Sequence, residues 1–206
     1  TTPWDNLLIA EGVWSYGEGT TLVHFWHAPL GEYLFFVLQP VLTALWLFQF
    51  PEIRDVSLRI PAASRLLGAG AGLLVSGAGL LVLDSAFYLG ALLIWTGPIL
   101  AIQWAFGWPY LWRLRRTVAL AVGVPTLYYC LVDRIAIGLG IWVLSDQHTA
   151  GVAVAGLPVE EAVFFLVTNL FTVQALLLYM WLLDRVETPS LGWPKLVVRR
   201  QPEPER

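Results

Sequence analysis

Five carboxylic acids could do chemistry in this chain, and they fall in segments that the sequence presents twice. PLGEYLFF starts at residue 29 and returns as PVEEAVFF at residue 158, and WDN at 4–6 returns as VDR at 132–134. The acids in these segments are Asp5 matched with Asp133, Glu32 matched with Glu161, and Glu160, whose counterpart is Gly31. The Asp pair is separated by 128 residues and the Glu pair by 129, so the two copies keep their register. An internal repeat of this kind predicts two structurally similar halves.

Each matched glutamate lies where an apolar helix is predicted to begin. A proline followed by acids in the first turn is an ordinary helix start, since the helix dipole favours negative charge there. At the mouth of a membrane span, however, an ionisable group is costly, and a functional role is the default interpretation. The dipole favours the anion, whereas burial and the adjacent charges of Glu160 and Glu161 favour the neutral acid. Such a carboxyl could donate a proton at neutral pH, and its counterpart could accept one.

The two aspartates are predicted to lie in acid-containing loops on the same side as the glutamates, which suggests a shared cavity. Asp133 is followed by Arg134, so an ion pair between these neighbours is an equally good account of it. The first copy has Asn6 in place of the arginine. Asp84 also falls on this side, in a short turn where it is expected to be solvated.

Two tryptophans recur at matched positions in the acidic loops, Trp14 and Trp142. Aromatic faces attract cations by about 0.5–2 kcal/mol each. An acid beside aromatic walls in a water-poor cavity suits carbocation chemistry, because the acid protonates an alkene and the rings stabilise the cation. Four phenylalanines of the repeated helix starts could line the same cavity: Phe35, Phe36, Phe164 and Phe165. Helix packing explains these phenylalanines equally well.

Composition places this chemistry in a membrane. The chain has 206 residues, of which 57% are hydrophobic and 13% charged, and its mean hydropathy is +0.67, far more apolar than a soluble domain. Five uncharged stretches approach or exceed the roughly 20 apolar residues that cross a bilayer: 33–51, 66–83, 85–112, 117–132 and 162–183. The fourth is short and is expected to continue irregularly through Asp133. The predicted fold is an all-α polytopic transmembrane helix bundle.

Basic residues indicate how the helices are oriented. If the five spans alternate, eleven of the twelve Lys and Arg residues face one side, and only Arg134 faces the other. Basic residues collect on the cytoplasmic side of short loops, so the sequence predicts a multi-pass protein of the cell membrane with a cytoplasmic C-terminus. Both Pro-x-x-Glu segments then start helices at the outer face, which makes the repeat parallel.

The repeat divides the chain into four parts. They are residues 1–50, the second part of the first copy; 51–84, a connecting loop and a linker transmembrane helix; 85–184, the second copy with three transmembrane helices; and 185–206, a disordered cytoplasmic tail. Two spans precede the acidic segment of the second copy, so symmetry predicts two further helices ahead of Thr1 and seven in all. The alternative is that the first copy lacks them. The glycines of the linker helix do not fit G-x-G-x-x-G and are interpreted as helix-packing positions.

Neither a cofactor nor a metal site is predicted. His24, His27 and His148 lack matched positions and are interpreted as solvated loop residues. The only lysine, Lys195, follows the last span and so cannot form an intramembrane Schiff base with retinal. The sequence has no Asp-x-x-x-Asp pair of the kind that binds magnesium diphosphate in membrane prenyltransferases. No nucleic-acid partner is expected.

The doubled motif resembles that of the carotenoid cyclases of the integral-membrane type, which are the bacterial two-subunit lycopene cyclases, the fungal cyclase–synthase fusions and the archaeal single-chain lycopene β-cyclases. Their mark is a twice-occurring P-x-E-[ED]-x-[FL]-F segment. Residues 158–164 match it closely, while Gly31 is a departure in the first copy. The resemblance covers nearly the whole chain up to Asp184 and includes TPWDN at 2–6 and GVW at 12–14.

The resemblance implies isomerisation of a linear carotenoid end without net redox change and without a flavin or other cofactor. A terminal double bond is protonated, the neighbouring alkene attacks the tertiary cation, and proton loss gives a β-ionone ring. The implied roles are Glu161 or Glu32 as acid, the other glutamate or Glu160 as base, Asp5 and Asp133 as orienting supports, and Trp14 and Trp142 as cation-stabilising walls. The expected partners are lycopene or a related acyclic carotenoid, membrane lipid and other enzymes of carotenoid synthesis.

Three other functions fit parts of the same pattern. A carotenoid end-group hydratase would use the same acid and cation and would let water capture the cation. A proton-coupled membrane transporter could also combine parallel repeats with intramembrane acids. A non-catalytic partner subunit is favoured if Gly31 disables one site.

Overall fold

The computed structural model describes residues 2–51 and 58–187, and within these ranges the chain is a bundle of helices with short strands at one end. The helices are α1 (Thr2–Ala10), α2 (Leu30–Leu47), α3 (Ala62–Val82), α4 (Phe87–Arg113), α5 (Arg115–Gly138) and α6 (Val159–Glu187). All of these except α1 are long and apolar enough to cross a membrane. The predicted all-α polytopic transmembrane bundle is therefore confirmed. Of the tail predicted at 185–206, residues 185–187 belong to α6 and the remainder lies outside the described residues.

Prolines mark where two of the spans begin. Pro29 and Pro61 precede α2 and α3 with φ angles of −72° and −61°, close to the value that the pyrrolidine ring imposes. The missing N–H costs little here, because the first N–H groups of a helix have no intrahelical acceptor. The first turn of α2 then carries Glu32, and the first turn of α6 carries Glu160 and Glu161. These glutamates therefore lie at the mouths of two spans.

Two local predictions for the acidic segments are wrong. Asp5 lies on α1 and Asp133 lies on α5, so neither aspartate is in a loop. α5 also continues as regular helix through Asp133 to Gly138, because the residues after Asp133 are compatible with helix and no early breaker interrupts them. The chain leaves each helix at a glycine with positive φ, Gly12 at 75° and Gly140 at 68°. Glycine adopts this left-handed conformation without a Cβ clash, which makes it a common helix end.

The two copies have the same order of elements around the acids. In the first copy α1 is followed by β1 (Trp14–Tyr16), the hairpin of β2 (His24–Phe25) with β3 (Ala28–Pro29), and α2. In the second copy α5 is followed by β4 (Trp142–Leu144), the hairpin of β5 (Ala153–Val154) with β6 (Leu157–Pro158), and α6. β1 pairs antiparallel with β4, and the central pair is Ser15 with Val143. These two residues are repeat counterparts, so the copies meet at equivalent positions.

Hydrogen bonds on either side of this central pair are duplicated. The Gly17 N–H donates to Ile141 O at 2.9 Å, and the Ser145 N–H donates to Val13 O at 2.8 Å. Gly17 is the counterpart of Ser145, and Val13 is the counterpart of Ile141. A local two-fold axis therefore passes through the central strand pair and relates the two acidic segments.

Glycines of the linker helix α3 bring it against α4. A Cβ at Gly79 would lie 2.7 Å from Gly90 O and 2.8 Å from Ile94 N, both of which are backbone atoms. Gly68 and Gly72 approach the α4 backbone as closely. The interpretation as helix-packing positions is confirmed for Gly68, Gly72 and Gly79, whereas a Cβ at Gly70 or Gly77 would meet nothing within 4 Å.

Two apolar clusters hold the described bundle at its two ends. One surrounds Trp181 and Tyr110 and joins the ends of α2, α4, α5 and α6 that are remote from the strands. The other surrounds Trp14 and Tyr88 and packs α1 and β1 against the start of α4. The second cluster positions the acidic segments.

Candidate active site

All five predicted acids lie at the strand-bearing end of the bundle. The exposed fractions are 3% for Asp5, 7% for Asp133, 0% for Glu160 and 1% for Glu161, while Glu32 is half-buried. Glu32 interacts electrostatically with Asp5, Asp133 and Glu161, and Asp133 also interacts with Glu161. The structure thus brings the matched acids of both copies together, and we call Asp5, Glu32, Asp133 and Glu161 the carboxyl cluster.

Glu160 has a different environment from its neighbour Glu161. Its Oε1 accepts a hydrogen bond from the Ala150 N–H at 2.6 Å, which ties the loop before β5 to the first turn of α6. Its Oε2 is buried with no hydrogen-bond partner among the described residues. The counterpart Gly31 is exposed, and a Cβ there would meet nothing within 4 Å. Glu160 therefore anchors a loop in the second copy by a contact that the first copy cannot make.

The two matched glutamates also differ in their hydrogen bonds. Tyr16 Oη donates to Oε1 of Glu32 at 2.6 Å, and Nε1 of Trp14 donates to Tyr16 Oη at 3.0 Å. Both carboxyl oxygens of Glu161, by contrast, are buried and have no hydrogen-bond partner among the described residues. Tyr88, in the first turn of α4, lies beside Glu161, so its phenol is the potential donor to this carboxyl group. The local two-fold axis therefore relates two positions with unequal surroundings.

Burial keeps two ionisable side chains outside the spans largely neutral. Burial, and secondly the nearby Glu32, raises the pKa of Asp5 to about 8. Burial, again followed by Glu32, raises the pKa of the Tyr16 phenol above its ordinary value. At neutral pH Asp5 therefore holds its proton for most of the time, and Tyr16 remains a hydrogen-bond donor.

The residue after each aspartate holds the hairpin of its own copy. Asn6 Oδ1 accepts hydrogen bonds from the backbone N–H groups of His27 and Ala28 at 2.8 and 3.0 Å. Its counterpart Arg134 donates from Nε to the Ala155 carbonyl at 2.7 Å. Each hairpin leads into the helix that carries a matched glutamate, so these contacts position the glutamates.

The ion pair considered for Asp133 and Arg134 is absent from the described part of the chain. Oδ2 of Asp133 is buried without a hydrogen-bond partner there, and the Arg134 guanidinium turns to the hairpin instead. The reason is geometric, because consecutive residues on a helix do not face each other. Asp133 therefore belongs to the carboxyl cluster alone.

The matched tryptophans meet near the local two-fold axis. Trp14 and Trp142 have ring centroids 6.2 Å apart in an edge-to-face arrangement. Trp14 also lies 5.6 Å from Tyr88, and Trp4 lies 6.3 Å from Tyr88 and 5.5 Å from Trp95. Trp14 reaches Glu32 through Tyr16, and Trp142 lies beside Asp133. Both matched tryptophans therefore border the carboxyl cluster.

The four predicted phenylalanines form one aromatic cluster between α2 and α6. The ring centroid of Phe35 is 6.2 Å from Phe36, 6.2 Å from Phe164, 6.0 Å from Phe165 and 5.7 Å from Tyr129. Phe35 follows Glu32 by three residues and Phe164 follows Glu161 by three, so each lies on the helix face of its glutamate. The aromatic cluster therefore adjoins the carboxyl cluster one helical turn further along the spans.

A buried polar cluster lies beyond the phenylalanines. Asn169 Oδ1 accepts hydrogen bonds from Gln39 Nε2 at 2.5 Å and from Thr43 Oγ1 at 2.6 Å, and Asn169 Nδ2 donates to Thr126 Oγ1 at 3.2 Å. These contacts join α2, α5 and α6 inside the bundle. Interhelical hydrogen bonds of this kind hold membrane helices together.

Several residues at the site escaped the sequence-based prediction: Trp4, Asn6, Tyr16, Tyr88 and Trp95. Tyr16 is two residues after Trp14, so the two side chains lie on the same face once the segment is known to be a strand. Tyr88 has no counterpart in the given sequence, so the repeat could not single it out.

Two cavities lie beside the described helices. One of about 240 Å³ is at the end remote from the strands, between Leu47 and Leu177. The other, open and about 450 Å³, lies against α1 and is lined in part by Asn6. Neither is lined by Glu32 or Glu161.

His27 and His148 lie in turns, as predicted, whereas His24 lies in β2, and His148 is half-buried rather than solvated. His24 and His27 are exposed, and His148 Nδ1 lies 3.1 Å from Ser145 Oγ. In the ranges 2–51 and 58–187, no three or more His, Cys, Asp or Glu side chains are grouped so that they could hold a metal ion.

Fold and site together define a multi-pass membrane protein in which two like halves share a buried set of carboxyl groups beside aromatic rings. Such a site can pass protons to and from an apolar molecule away from water, and it can stabilise positive charge on that molecule.

Known proteins similar to the chain share lycopene cyclase activity in their names. The chain is 52% identical over 187 residues to a lycopene beta-cyclase of Halobacterium salinarum, a match that covers 90% of this chain and 79% of that protein. It is 31% and 36% identical to the bifunctional lycopene cyclase/phytoene synthases of Aspergillus niger and Phaeosphaeria nodorum, over 85% and 82% of this chain and 32% of each of those proteins. No protein-family model and no solved structure matches the chain. The chain belongs to the lycopene β-cyclase family.

Proposed function

We propose that this protein cyclises the linear ends of lycopene, or of a related acyclic carotenoid, to β-ionone rings without net redox change. Besides the family, one observation carries the proposal: the matched acids of both halves form one buried cluster bordered by aromatic rings. An acid-initiated cyclisation adds a proton at one carbon and removes one at another. It therefore needs a donor and an acceptor in the same water-poor space.

The chemistry follows from the structure of the substrate end. A proton added to the CH carbon of the terminal double bond leaves a tertiary cation. The electron pair of the neighbouring alkene then forms the ring bond and moves the cation into the ring. Loss of the proton from the ring carbon that formed this bond creates the ring double bond, so atoms and electrons balance. Aromatic faces stabilise both cations.

Roles for individual residues follow from their placement. One matched glutamate supplies the proton and the other removes it, Asp5 and Asp133 orient them, Trp14 and Trp142 stabilise the cation, and Phe35, Phe36, Phe164 and Phe165 line the path of the polyene. Glu160 is the weaker candidate for the base, because the Ala150 N–H occupies one of its oxygens.

Expression in cells that accumulate lycopene tests the proposal. Cyclisation gives a product of unchanged mass whose absorption moves to shorter wavelength, since the ring double bond twists out of the plane of the polyene and conjugates with it less well. A hydratase would instead raise the mass by one water, and a transporter or a non-catalytic subunit would leave lycopene unchanged. A product heavier by one water, or lycopene that remains unchanged, would refute the proposed function.

Glu161→Gln provides the matching test of the site. The variant should lose ring formation while the folded protein still accumulates in the membrane, because the amide cannot supply an acidic proton. Asp84→Asn is the matched control, since Asp84 is an exposed acid in the turn before α4, and it should retain activity. Full activity of Glu161→Gln would remove Glu161 from the mechanism.

The orientation and organisation predicted from the sequence complete the proposal. A cytoplasmic C-terminus is supported by the eleven basic residues that fall on one side of the spans, and it would put the carboxyl cluster at the outer face. Labelling single cysteines from each side of sealed vesicles tests this orientation. Copurification with tagged pathway enzymes tests whether other enzymes of carotenoid synthesis are partners.

We also propose the four-part division at 1–50, 51–84, 85–184 and 185–206, with two further helices completing the first copy. Support comes from the unequal burial of the related helices α2 and α6. α2 buries only Gln39, Thr43 and Leu47 among its residues, whereas α6 buries many more. Additional helices against α2 would make the halves alike. Topology mapping of the complete gene product should find seven crossings, and five would refute this part.

A further inference from the structure

We propose that the matched glutamates have fixed and unequal roles: Glu161 is the acid that supplies the first proton, and Glu32 is the base that removes the last one. Tyr16 is the positioning residue that sets this division. The assignment rests on the proposed cyclisation and adds to it the direction in which the proton moves.

The first observation is the hydrogen-bond chain that ends on Glu32. Tyr16 Oη lies 2.6 Å from Oε1 of Glu32, within the range of about 2.5–2.7 Å that is typical of a hydroxyl donating to a carboxylate. The indole of Trp14 can only donate, so its 3.0 Å contact with Tyr16 Oη leaves the phenol hydrogen directed at Glu32. Burial raises the pKa of Tyr16, so the phenol keeps this hydrogen. A donor of this kind favours the ionised form of Glu32.

The second observation is that the described residues form no hydrogen bond to Glu161 comparable with the Tyr16 bond to Glu32, although the phenol of Tyr88 lies beside Glu161. Its two oxygens are buried, the side chain is 1% exposed, and neither oxygen has a hydrogen-bond partner among the described residues. The titratable groups that face Glu161 are Asp133, Tyr88, Glu32 and Glu160. A carboxylate without water or donors is costly to bury, whereas the neutral acid is much less so. Glu161 is therefore the member of the pair that can hold a proton for transfer.

The third observation traces the difference to one position of the repeat. The counterpart of Tyr16 is Leu144, at the equivalent end of β4. Leucine has no hydrogen-bond donor, while the tryptophans two residues before these positions are the same in both copies. At positions related by the local two-fold axis, the first copy therefore has a phenol and the second copy has an aliphatic side chain.

The proton count closes over one cycle. Glu161 gives its proton to the terminal alkene carbon and becomes a carboxylate. The cyclised cation then loses the proton from its ring carbon to Glu32, which becomes neutral. No electron is gained or lost, and the product is an isomer of the substrate. Return of the proton from Glu32 to Glu161, which are close enough to interact electrostatically, restores the resting state.

Turnover in heavy water separates the two roles. Membranes containing the complete protein are given lycopene in D₂O, and deuterium is measured in the products and in the recovered lycopene. Glu161→Gln should give neither rings nor deuterium uptake, because protonation never occurs. Glu32→Gln should still take up deuterium, in recovered lycopene, water adducts or ring isomers, while β-rings fall by about 10²-fold or more.

Tyr16→Phe tests the positioning role by a readout that simple loss of packing does not move. If Tyr16 keeps Glu32 ionised, the fall of activity on the acid side of the pH–rate profile should move to higher pH by about one to two units, the equivalent of one hydrogen bond to a charged group. Tyr33→Phe is the matched control. It removes another phenol, one that donates to the Phe25 carbonyl at 2.7 Å, and it should leave the position of the profile unchanged.

The outcomes distinguish this assignment from the function on which it rests. Wild-type protein that makes no rings removes the proposed function. With active wild type, deuterium uptake that persists in Glu161→Gln, or that is lost in Glu32→Gln, overturns the assignment and leaves the cyclase intact. If the pH–rate profile of folded, active Tyr16→Phe is unchanged, the role of Tyr16 is overturned. This measurement remains decisive even if one glutamine variant fails to fold.

Discussion

Replacing Asn6 with Ala should loosen the entry to α2 more than an ordinary loop substitution does. Asn6 is only 5% exposed, and its side chain accepts hydrogen bonds from the N–H groups of His27 and Ala28 and donates to Thr2 O and Tyr33 Oη. Alanine removes all of these bonds. It also leaves two backbone N–H groups of the first hairpin without their acceptor.

The magnitude follows from how deeply each N–H is buried. Ala28 is 0% exposed, so its orphaned N–H should cost about 1–3 kcal/mol. His27 is exposed, so water can replace part of its bond and the cost should be about 0.5–1 kcal/mol. The expected loss is therefore about 1.5–4 kcal/mol, above the typical value of about 1 kcal/mol for a point substitution. Glu32 lies four residues after Ala28, so a loosened hairpin should also slow ring formation.

Thermal stability of the detergent-extracted protein measures the first effect, and conversion of lycopene measures the second. Tyr33→Phe is the control, because it removes one partner of Asn6 Nδ2 and leaves both bonds to Oδ1 in place. It should lose less than half as much stability as Asn6→Ala. If the two variants melt at the same temperature and convert lycopene at the same rate, the stability of the hairpin does not depend on Asn6 Oδ1 and the reasoning is wrong.

Three further outcomes are expected. Gly79→Ala puts a methyl group 2.7 Å from the Gly90 carbonyl oxygen and should lower the free energy of unfolding by about 1–3 kcal/mol. Gly77→Ala is the control, because a Cβ there meets nothing within 4 Å, and its stability should be unchanged or slightly higher. Equal melting temperatures of the two variants would contradict close α3–α4 packing. Because the pKa of Asp5 rises from 3.8 to about 8 on folding, its favourable contribution is complete below the lower value and is lost as pH rises through the higher one. Melting temperatures should therefore fall between about pH 4 and about pH 8, with a flatter curve in Asp5→Asn; identical curves would show that Asp5 does not ionise in this way. Asn169→Leu removes three interhelical hydrogen bonds. At roughly 0.6 kcal/mol each, their loss should lower the free energy of unfolding by about 2 kcal/mol, which thermal melting measures. An unchanged melting temperature would mean that the polar cluster does not stabilise the bundle.

Hydrophobic length was sufficient to predict the five spans, because a bilayer demands long uncharged helices and little else. The repeat was sufficient to pair Asp5 with Asp133 and Glu32 with Glu161. It could not show that both aspartates lie on helices, since the breaker that ends α5 is Gly140, seven residues after Asp133. The acids mark the site in the sequence, whereas the helix boundary depends on where the backbone first needs a positive φ.

The directions of individual side chains could not be predicted from the sequence, for a different reason. β1 has only three residues, too few for the alternation that would have shown Trp14 and Tyr16 on one face. Tyr88 at the start of α4 resembles an ordinary interfacial tyrosine, and only the packing of α4 against β1 places it beside Glu161. The turn of Arg134 toward the second hairpin likewise depends on the backbone of Ala155, which is 21 residues away.

The pairing of β1 with β4 is isologous, and this has a consequence for how the halves can diverge. Two identical half-length chains associating through such a strand pair would have to present the same side chain at both equivalent sites. Within one continuous polypeptide each of the two equivalent positions can change independently. The repeat counterpart of Tyr16 is Leu144, that of Asn6 is Arg134, and that of Gly31 is Glu160. Fusion of the halves thus permits an asymmetric centre inside a symmetric frame, which a homodimer of the same parts could not build.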